Sequence, residues 1–294
     1  MTARRFVQLD VFADRPGAGN PLAVVFDAEG LDDATMQAIA RWTRLPETTF
    51  VFAADAGSDY RIRMFSPRRE VPFAGHPSVG TAQALLAAGH IAPDADGLVW
   101  QEGVAGRLPL RVTGTGSDRT VAVRTPKARV VETAECGDAR LRAALDGLSP
   151  GTLPPALVDG GRRWWLAEVA DERSLREAQP DWNAIGTLAE STAAMGLCAY
   201  ARADAGNPWD LVVRAWVGAP ARFEDAASGA ANATLAAWLA SRDALPGGGR
   251  HYVVSQGREV GYDARLQLTI DDEGEVWSGG RVAFVIEGAL DWGR

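Results

Sequence analysis

Two stretches decide how this chain folds: Pro77-Ser-Val-Gly-Thr-Ala-Gln-Ala-Leu-Leu-Ala-Ala88 and Ala230-Ala-Asn-Ala-Thr-Leu-Ala-Ala-Trp-Leu-Ala240. Both are almost entirely small and apolar, and a helix with so little polar face belongs inside something. Each follows several short strands and a glycine-containing loop, Phe73-Ala-Gly75-His76 in the first case and Glu224-Asp225-Ala-Ala-Ser228-Gly229 in the second. Each is also followed by more strands. The pattern predicts an α+β fold of two similar domains, each a barrel-like sheet wrapped around a central helix, and it excludes a helical bundle.

The flanking segments agree. Val7, Leu9 and Val11 alternate in a first strand and Leu22, Val24 and Phe26 in a second, while Tyr60, Ile62 and Met64 oppose Arg61 and Arg63 in a fourth. These read as strands with one buried face. Asp32-Asp33 opens a helix through about Arg44, with Met36, Ile39, Ala40 and Thr43 at helical spacing and acidic residues at its positive end. The boundary is expected near Pro126-Lys127, which gives domains 1–126 and 127–294, with the option that the last strand returns to the first domain. The Pro- and Gly-rich stretch 148–155 reads as a loop inside the second half, between a helix over 138–146 and a strand around 162–169. Gly247-Gly248-Gly249 reads as a connection.

At 294 residues with 47% hydrophobic and 23% charged residues, the composition is globular. The net charge of -8 and the lack of clustered Lys/Arg argue against nucleic acid as a partner. No window reaches the roughly 18 apolar residues of a membrane helix, and no apolar signal core follows Arg4-Arg5. A cytoplasmic protein with no membrane partner is the expectation. The only cysteines, Cys136 and Cys198, read as inert thiols without a disulfide.

Several chemistries are excluded by motif. Gly17-Ala-Gly19-Asn-Pro21 runs into a strand and is a turn, not a dinucleotide loop. No Walker loop and no Gly-x-Ser-x-Gly is present, and His76, His90 and His251 have no metal-helix spacing. No metal and no cofactor are expected.

What remains are polar residues in apolar or glycine-rich surroundings. Glu47 opens the strand Glu-Thr-Thr-Phe-Val-Phe52. Burial there would disfavour its charged form and bring it toward proton exchange near neutral pH, whereas full exposure would leave an ordinary solvated carboxylate. His76 stands between Gly75 and Pro77 at the positive end of a buried helix, where backbone amides would stabilise a carboxylate or an enolate. It is equally placed to be a simple cap. Glu224-Asp225 and Ser228-Gly229 precede the second helix in the same way, with Asp225 open to a capping role. A carboxylate, an imidazole and a second carboxylate at two helix N-termini suit proton transfer at a carbon beside a carboxylate or carbonyl.

The residues resemble one known family. Gln8-Leu-Asp-Val-Phe-Ala13, Gly19-Asn-Pro-Leu-Ala-Val24, Glu47-Thr-Thr-Phe-Val51, Val71-Pro-Phe-Ala-Gly-His-Pro77 with Gly80, Glu224-Asp225 with Gly229, and Ser255-Gln-Gly257 are similar, in order and spacing, to signatures of the PhzF-type phenazine-biosynthesis-like proteins. The resemblance spans about residues 5–290. It implies the diaminopimelate-epimerase-like fold, a homodimer, and a cofactor-independent isomerase acting on a small substrate like dihydro-hydroxyanthranilate in a cleft between the domains. By the same resemblance Glu47 is the proton-shuttling acid/base, His76 and Asp225 join it as catalytic residues, and the amides of Gly75 and Gly229 lie against substrate. The family's second loop commonly ends Thr-Gly-Ser, where this chain has Ser228-Gly229-Ala230. A substrate-holding hydroxyl is therefore missing at Ala230, and either Ser228 compensates or the substrate differs. Gly261-Tyr-Asp-Ala-Arg265 departs from a frequent Gly-Arg-Pro-Ser-Arg in the same way. Related racemases use one cysteine at each central helix, and this chain has none there. A binding protein that lost the chemistry, and a lyase or hydrolase using the same glutamate, are the alternatives.

Overall fold

The computed structural model describes residues 3–55, 57–135 and 138–292, so Cys136 lies outside the described residues. The chain divides into two compact units, Met1–Arg124 with Gly279–Arg294, and Thr125–Ser278.

The first unit runs β1 (Arg4–Val11), β2 (Asn20–Val25), α1 (Asp33–Thr43), β3 (Glu47–Phe52), β4 (Tyr60–Phe65), β5 (Glu70–Val71), α2 (Gly75–Ala87), β6 (Leu98–Gly103), β7 (Gly106–Thr113) and β8 (Thr120–Arg124). Hairpin neighbours are antiparallel, while β2/β3 and β4/β6 are parallel. Parallel neighbours need a crossover, which α1 and α2 supply.

The second unit runs β9 (Arg129–Thr133), α3 (Ala139–Ala144), β10 (Ala156–Asp159), β11 (Arg163–Glu168), α4 (Glu172–Glu177), α5 (Trp182–Thr192), β12 (Gly196–Arg202), β13 (Leu211–Val217), β14 (Phe223–Asp225), α6 (Gly229–Ser241), β15 (His251–Gln256) and β16 (Ala264–Ile270). After β17 (Val276–Gly280), β18 (Val282–Leu290) belongs to the first unit and pairs antiparallel with β1.

The pairing scheme is the same twice. β10/β11 is antiparallel, β11/β12 parallel, β12/β13 and β13/β14 antiparallel, β13/β15 parallel and β15/β16 antiparallel. The outer ladders β1/β18 and β10/β9 each carry a register shift, between Gln8 and Leu9 and between Leu157 and Val158. The crossover helices α1 and α5 both have 11 residues, an aspartate N-cap (Asp32, Asp181) and a left-handed residue at the end (Arg44, Ala193).

α2 and α6 are each 13 residues long. Residues 76–86 of α2 are all buried, and the helix contacts β1, β2, β3, β6, β8 and β18. α6 buries Ala231 through Ala236, Trp238 and Leu239, and contacts β10, β11 and β16. The small side chains let the strands close in on all sides, and removal of the few large ones from water supplies roughly 1.5–3 kcal/mol each.

Both central helices start earlier than their apolar runs suggest, at Gly75 and Gly229. His76 therefore sits inside the first turn rather than in the preceding loop. β10, α4 and α5 are among the elements that the sequence expectation does not name. β10 has four residues and α4 six, too few to display a period. α5 carries Ile185, Leu188 and Ala189 behind its Asp181 cap, the same signal that marks α1. Cys198 on β12 is fully buried, and burial pushes its thiol up to about 12.

The repeated register makes a testable demand at Gly196. A Cβ there would collide with the Trp216 carbonyl and meet the Gly218 nitrogen at 2.9 Å, both of them backbone. Gly196→Ala should destabilise the protein by about 1–3 kcal/mol or more, read as a lower urea midpoint at unchanged m. An unchanged midpoint would contradict this strand register.

Candidate active site

Glu47 is the first residue of β3, opposite Leu22 of β2 in the parallel ladder. The two threonines that follow fasten the strand. Thr48 Oγ1 lies 2.9 Å from Thr43 Oγ1 of α1, and Thr49 Oγ1 lies 2.8 Å from Thr81 Oγ1 of α2 while donating to the Ala23 carbonyl at 3.3 Å. A strand held to the central helix in this way brings its leading residue beside that helix's first turn. His76 Nε2 accordingly stands 3.5 Å from Glu47 Oε2, with the side chains 8% and 16% exposed.

Burial holds the imidazole well below its usual range, at about 3, opposed only in part by its hydrogen bond to the Pro21 carbonyl. Nε2 makes no hydrogen bond, so the donor to Pro21 is Nδ1. The ring is therefore neutral near pH 7, with the unprotonated Nε2 on the side of the Glu47 carboxyl. The Gly19-Asn-Pro21 turn has its physical reason here: Gly19 passes against the Val11 carbonyl, where no Cβ fits, and delivers Pro21 to the ring.

The N-terminus of α2 has no side-chain cap. Ala74 occupies the capping position, and Ser78 donates its hydroxyl backward to the Ala74 carbonyl at 3.1 Å. The amides of Gly75 and His76 are left without a side-chain acceptor at the positive helix end. α6 differs. Ser228 caps it by accepting from the Ala231 amide at 3.4 Å, so the hydroxyl read as a possible substitute for the one missing at Ala230 has a partner within its own helix.

Glu224 and Asp225, adjacent in sequence, have different surroundings. Glu224 takes two bonds from Arg214, at 2.9 and 2.7 Å, with side chains only 3% and 5% exposed, and one from Trp216 Nε1 at 3.3 Å. Its charge is spent on that pair. Asp225 is half-buried, and its backbone carbonyl accepts from Gln256 Nε2 at 2.8 Å. Gln256 Oε1 accepts in turn from the Ser228 amide at 3.2 Å and from Asn232 Nδ2 at 2.8 Å, and Asn232 also donates to the Ser228 carbonyl at 2.9 Å. Gln256 and Asn232 are both fully buried. Gly257, at φ +90, lies so close to the Ala226 carbonyl that a side chain would strike it. The Ser255-Gln-Gly257 motif thus grips the loop bearing Asp225, Ser228, Gly229 and Ala230. Sequence reasoning left Gln256 and Asn232 without a role, because Gln256 bonds backbone atoms of Asp225 and Ser228, 31 and 28 residues away, and Asn232 joins it through a side-chain bond across 24 residues.

The site residues thus fall into two groups. Glu47, Gly75 and His76 come together in the first unit, and Asp225, Ser228, Gly229 and Ala230 share one loop and helix start in the second. The ladders identify counterparts. Thr48 pairs with Phe65 and Leu197 with Trp216, while Phe65 and Trp216 pair with Glu70 and Glu224. Gly196 therefore occupies Glu47's place in the second unit, Ala230 that of His76, and Val71 that of Asp225 in the first. His90 and His251 lie elsewhere, His90 against the Phe26 ring and His251 beside Thr269. Among the described residues no group of three or more His, Cys, Asp or Glu is arranged to hold a metal, and no helix is long and apolar enough to cross a membrane.

The family model described as phenazine biosynthesis-like protein matches residues 9–288. The chain belongs to this family. The chain is 34% identical over 273 residues to the trans-2,3-dihydro-3-hydroxyanthranilate isomerase of Pseudomonas aeruginosa, with 92% of each chain covered. It is similar in structure to a PhzF-family phenazine biosynthesis protein of Bacillus anthracis, at a TM-score of 0.85 and 24% identity over 99% of both chains. It shares its fold, the diaminopimelate-epimerase-like one, with a probable proline racemase of Agrobacterium radiobacter, at a TM-score of 0.65 and 14% identity over 99% of this chain and 93% of the other.

The buried imidazole makes the stability of the protein depend on pH. Folded His76 takes a proton only near pH 3, whereas the unfolded ring titrates near 6.5. Between those values the unfolded state binds more protons, so the His76 contribution to stability falls as pH drops from about 6.5, by up to ~1.4 kcal/mol per pH unit. Urea midpoints of wild type and His76→Gln should differ by a constant above pH 7 and shift in favour of the variant toward pH 4. A difference independent of pH would mean that the folded ring accepts a proton.

Proposed function

We propose that the protein is an isomerase that moves a proton between carbons of a small carboxylate-bearing substrate of the dihydro-hydroxyanthranilate type, with Glu47 as the general acid/base. The observation that carries this reading is the contact at 3.5 Å between half-buried Glu47 and buried His76, beside the uncapped start of α2. The family membership and the isomerase among its relatives support the reaction class.

A neutral imidazole with Nδ1 engaged cannot act as a counter-ion to Glu47, but its lone pair can accept a hydrogen bond from the protonated carboxyl and orient it. The ionised carboxylate takes a proton from a substrate carbon, the amides of Gly75 and His76 favour the negative charge that develops, and the carboxylic acid returns the proton to another carbon. The proton begins and ends on substrate, so this reading calls on no metal or coenzyme. Asp225 is assigned to the second polar role, orienting a substrate amino or hydroxyl group, with the Gly229 amide and the surface at Ser228 and Ala230 as further contacts. Because Ala230 presents only a methyl group, a substrate that needs a hydroxyl there would bind poorly, and this favours a relative of dihydro-hydroxyanthranilate over that compound itself.

The experiment is incubation with dihydro-hydroxyanthranilic acid and a panel of unsaturated amino and hydroxy acids in deuterated water. Wild type should place deuterium on a substrate carbon, and Glu47→Gln should slow this by about 10²–10⁴-fold while retaining ligand affinity. Equal exchange by both proteins would remove Glu47 from the chemistry. Tight binding without exchange by wild type would favour a binding protein on the same fold.

A further inference from the structure

Arg63 on β4 and Arg214 on β13 occupy equivalent ladder positions, and each carries the same device. Arg63 Nε and Nη2 meet Glu70 Oε1 and Oε2 at 2.6 and 2.7 Å; Arg214 Nε and Nη2 meet Glu224 Oε1 and Oε2 at 2.9 and 2.7 Å. Each guanidinium also lies over the aromatic ring two residues on, Phe65 at 5.2 Å and Trp216 at 5.1 Å. Beyond the fork the surroundings diverge. Arg63 also binds the exposed Asp33 at 2.6 Å, whereas Arg214 donates to the carbonyls of Leu175 and Ala178 at 3.0 and 2.6 Å. Among these polar contacts, what the two halves share is the arginine–glutamate fork.

The fork acts on the part of the fold that leads into the site. β5 is two residues long and pairs with β4 only through Met64↔Val71 and Phe65↔Glu70. So short a strand has little ladder of its own to hold its register, and a one-residue slip would turn every side chain to the other face. Residues 72–74 follow directly, and α2 then starts with Gly75 and His76. Glu47 reaches the same place by another route, from β3, whose ladder to β4 includes Thr48↔Phe65 and Phe50↔Arg63. One guanidinium thus ties together the strand next to Glu47 and the strand that leads to His76. In the second unit residues 226–228 link β14 to α6, and the fork at Glu224 sets the face on which Asp225 emerges.

We propose that Arg63 is a positioning residue that sets the Glu47–His76 contact through its bidentate hold on Glu70. The consequence for turnover rests on the proton-transfer reading above; the consequence for the geometry does not.

The test has two arms. In protein with isotope-labelled histidine, assigned by His76→Gln, the His76 ring resonances of wild type should be invariant from pH 5 to 8. In Arg63→Met they should titrate within that window, because the loosened loop lets water reach the ring, and Glu70→Gln should move them in the same direction. In the deuterium assay kcat should fall by about a hundredfold, the order expected of a 1 Å misplacement, with KM changed much less. Asp33→Asn, which leaves the fork intact, should change neither. If Arg63→Met does not fold, Arg63→Lys decides by the same criteria, since it retains the charge and loses the planar fork. A folded variant with an invariant His76 overturns the proposal, as does an Asp33→Asn effect equal to that of Arg63→Met. Absence of exchange in wild type would sink the functional reading alone, and the resonances would still decide on Arg63.

Discussion

A helix with no polar side has to be enclosed, and an enclosed helix can offer chemistry only at its ends. This constraint organises both halves of the protein. Residues 76–86 of α2 are buried without interruption, so strands must approach from every direction. Parallel neighbours β2/β3 and β4/β6 follow, because only crossovers through helices let the sheet continue around the enclosed one. Once the sheet is closed around it, the unsatisfied amides at the N-terminus are the polar surface left to that helix.

The duplication makes the site intelligible by contrast. At equivalent positions the first unit has Glu47 and His76 where the second has Gly196 and Ala230, and the second has Asp225 where the first has Val71. At Gly196 the backbone of Trp216 and Gly218 leaves no room for a side chain. The two helix ends are also finished differently. That of α2 is uncapped beside a neutral imidazole, and that of α6 is capped by Ser228 and braced by Gln256 and Asn232. One scaffold made twice thus carries a half-buried carboxyl beside a buried imidazole at one end and a firmly held loop at the other.

Charge is handled in the same economical way. The forks at Glu70 and Glu224 spend carboxylates on holding short strands. This separates Glu224 from Asp225, its sequence neighbour, because adjacent strand residues face opposite ways. It also explains why an acidic pair at a helix start is a poor guide to which carboxylate is available: the pairing arginine is ten residues away in sequence from Glu224 and seven from Glu70.

The sequence by itself determined the enclosed helices, the one-face-buried strands, the aspartate-capped α1 and the candidates Glu47, His76 and Asp225, because periodicity, missing polar faces and capping residues are local signals. Only the tertiary structure decided what those candidates touch. The tautomer of His76 depends on Pro21, which lies 55 residues earlier, and its neutrality on a depth of burial that no local pattern encodes. The roles of Arg63, Asn232 and Gln256 depend on partners brought near by strand register, and several of those partners are backbone atoms, which leave no mark on the identity of the residues that supply them. Local propensities specify elements; desolvation and hydrogen-bond pairing between distant segments specify the chemistry, and these exist only once the chain has closed around its helices.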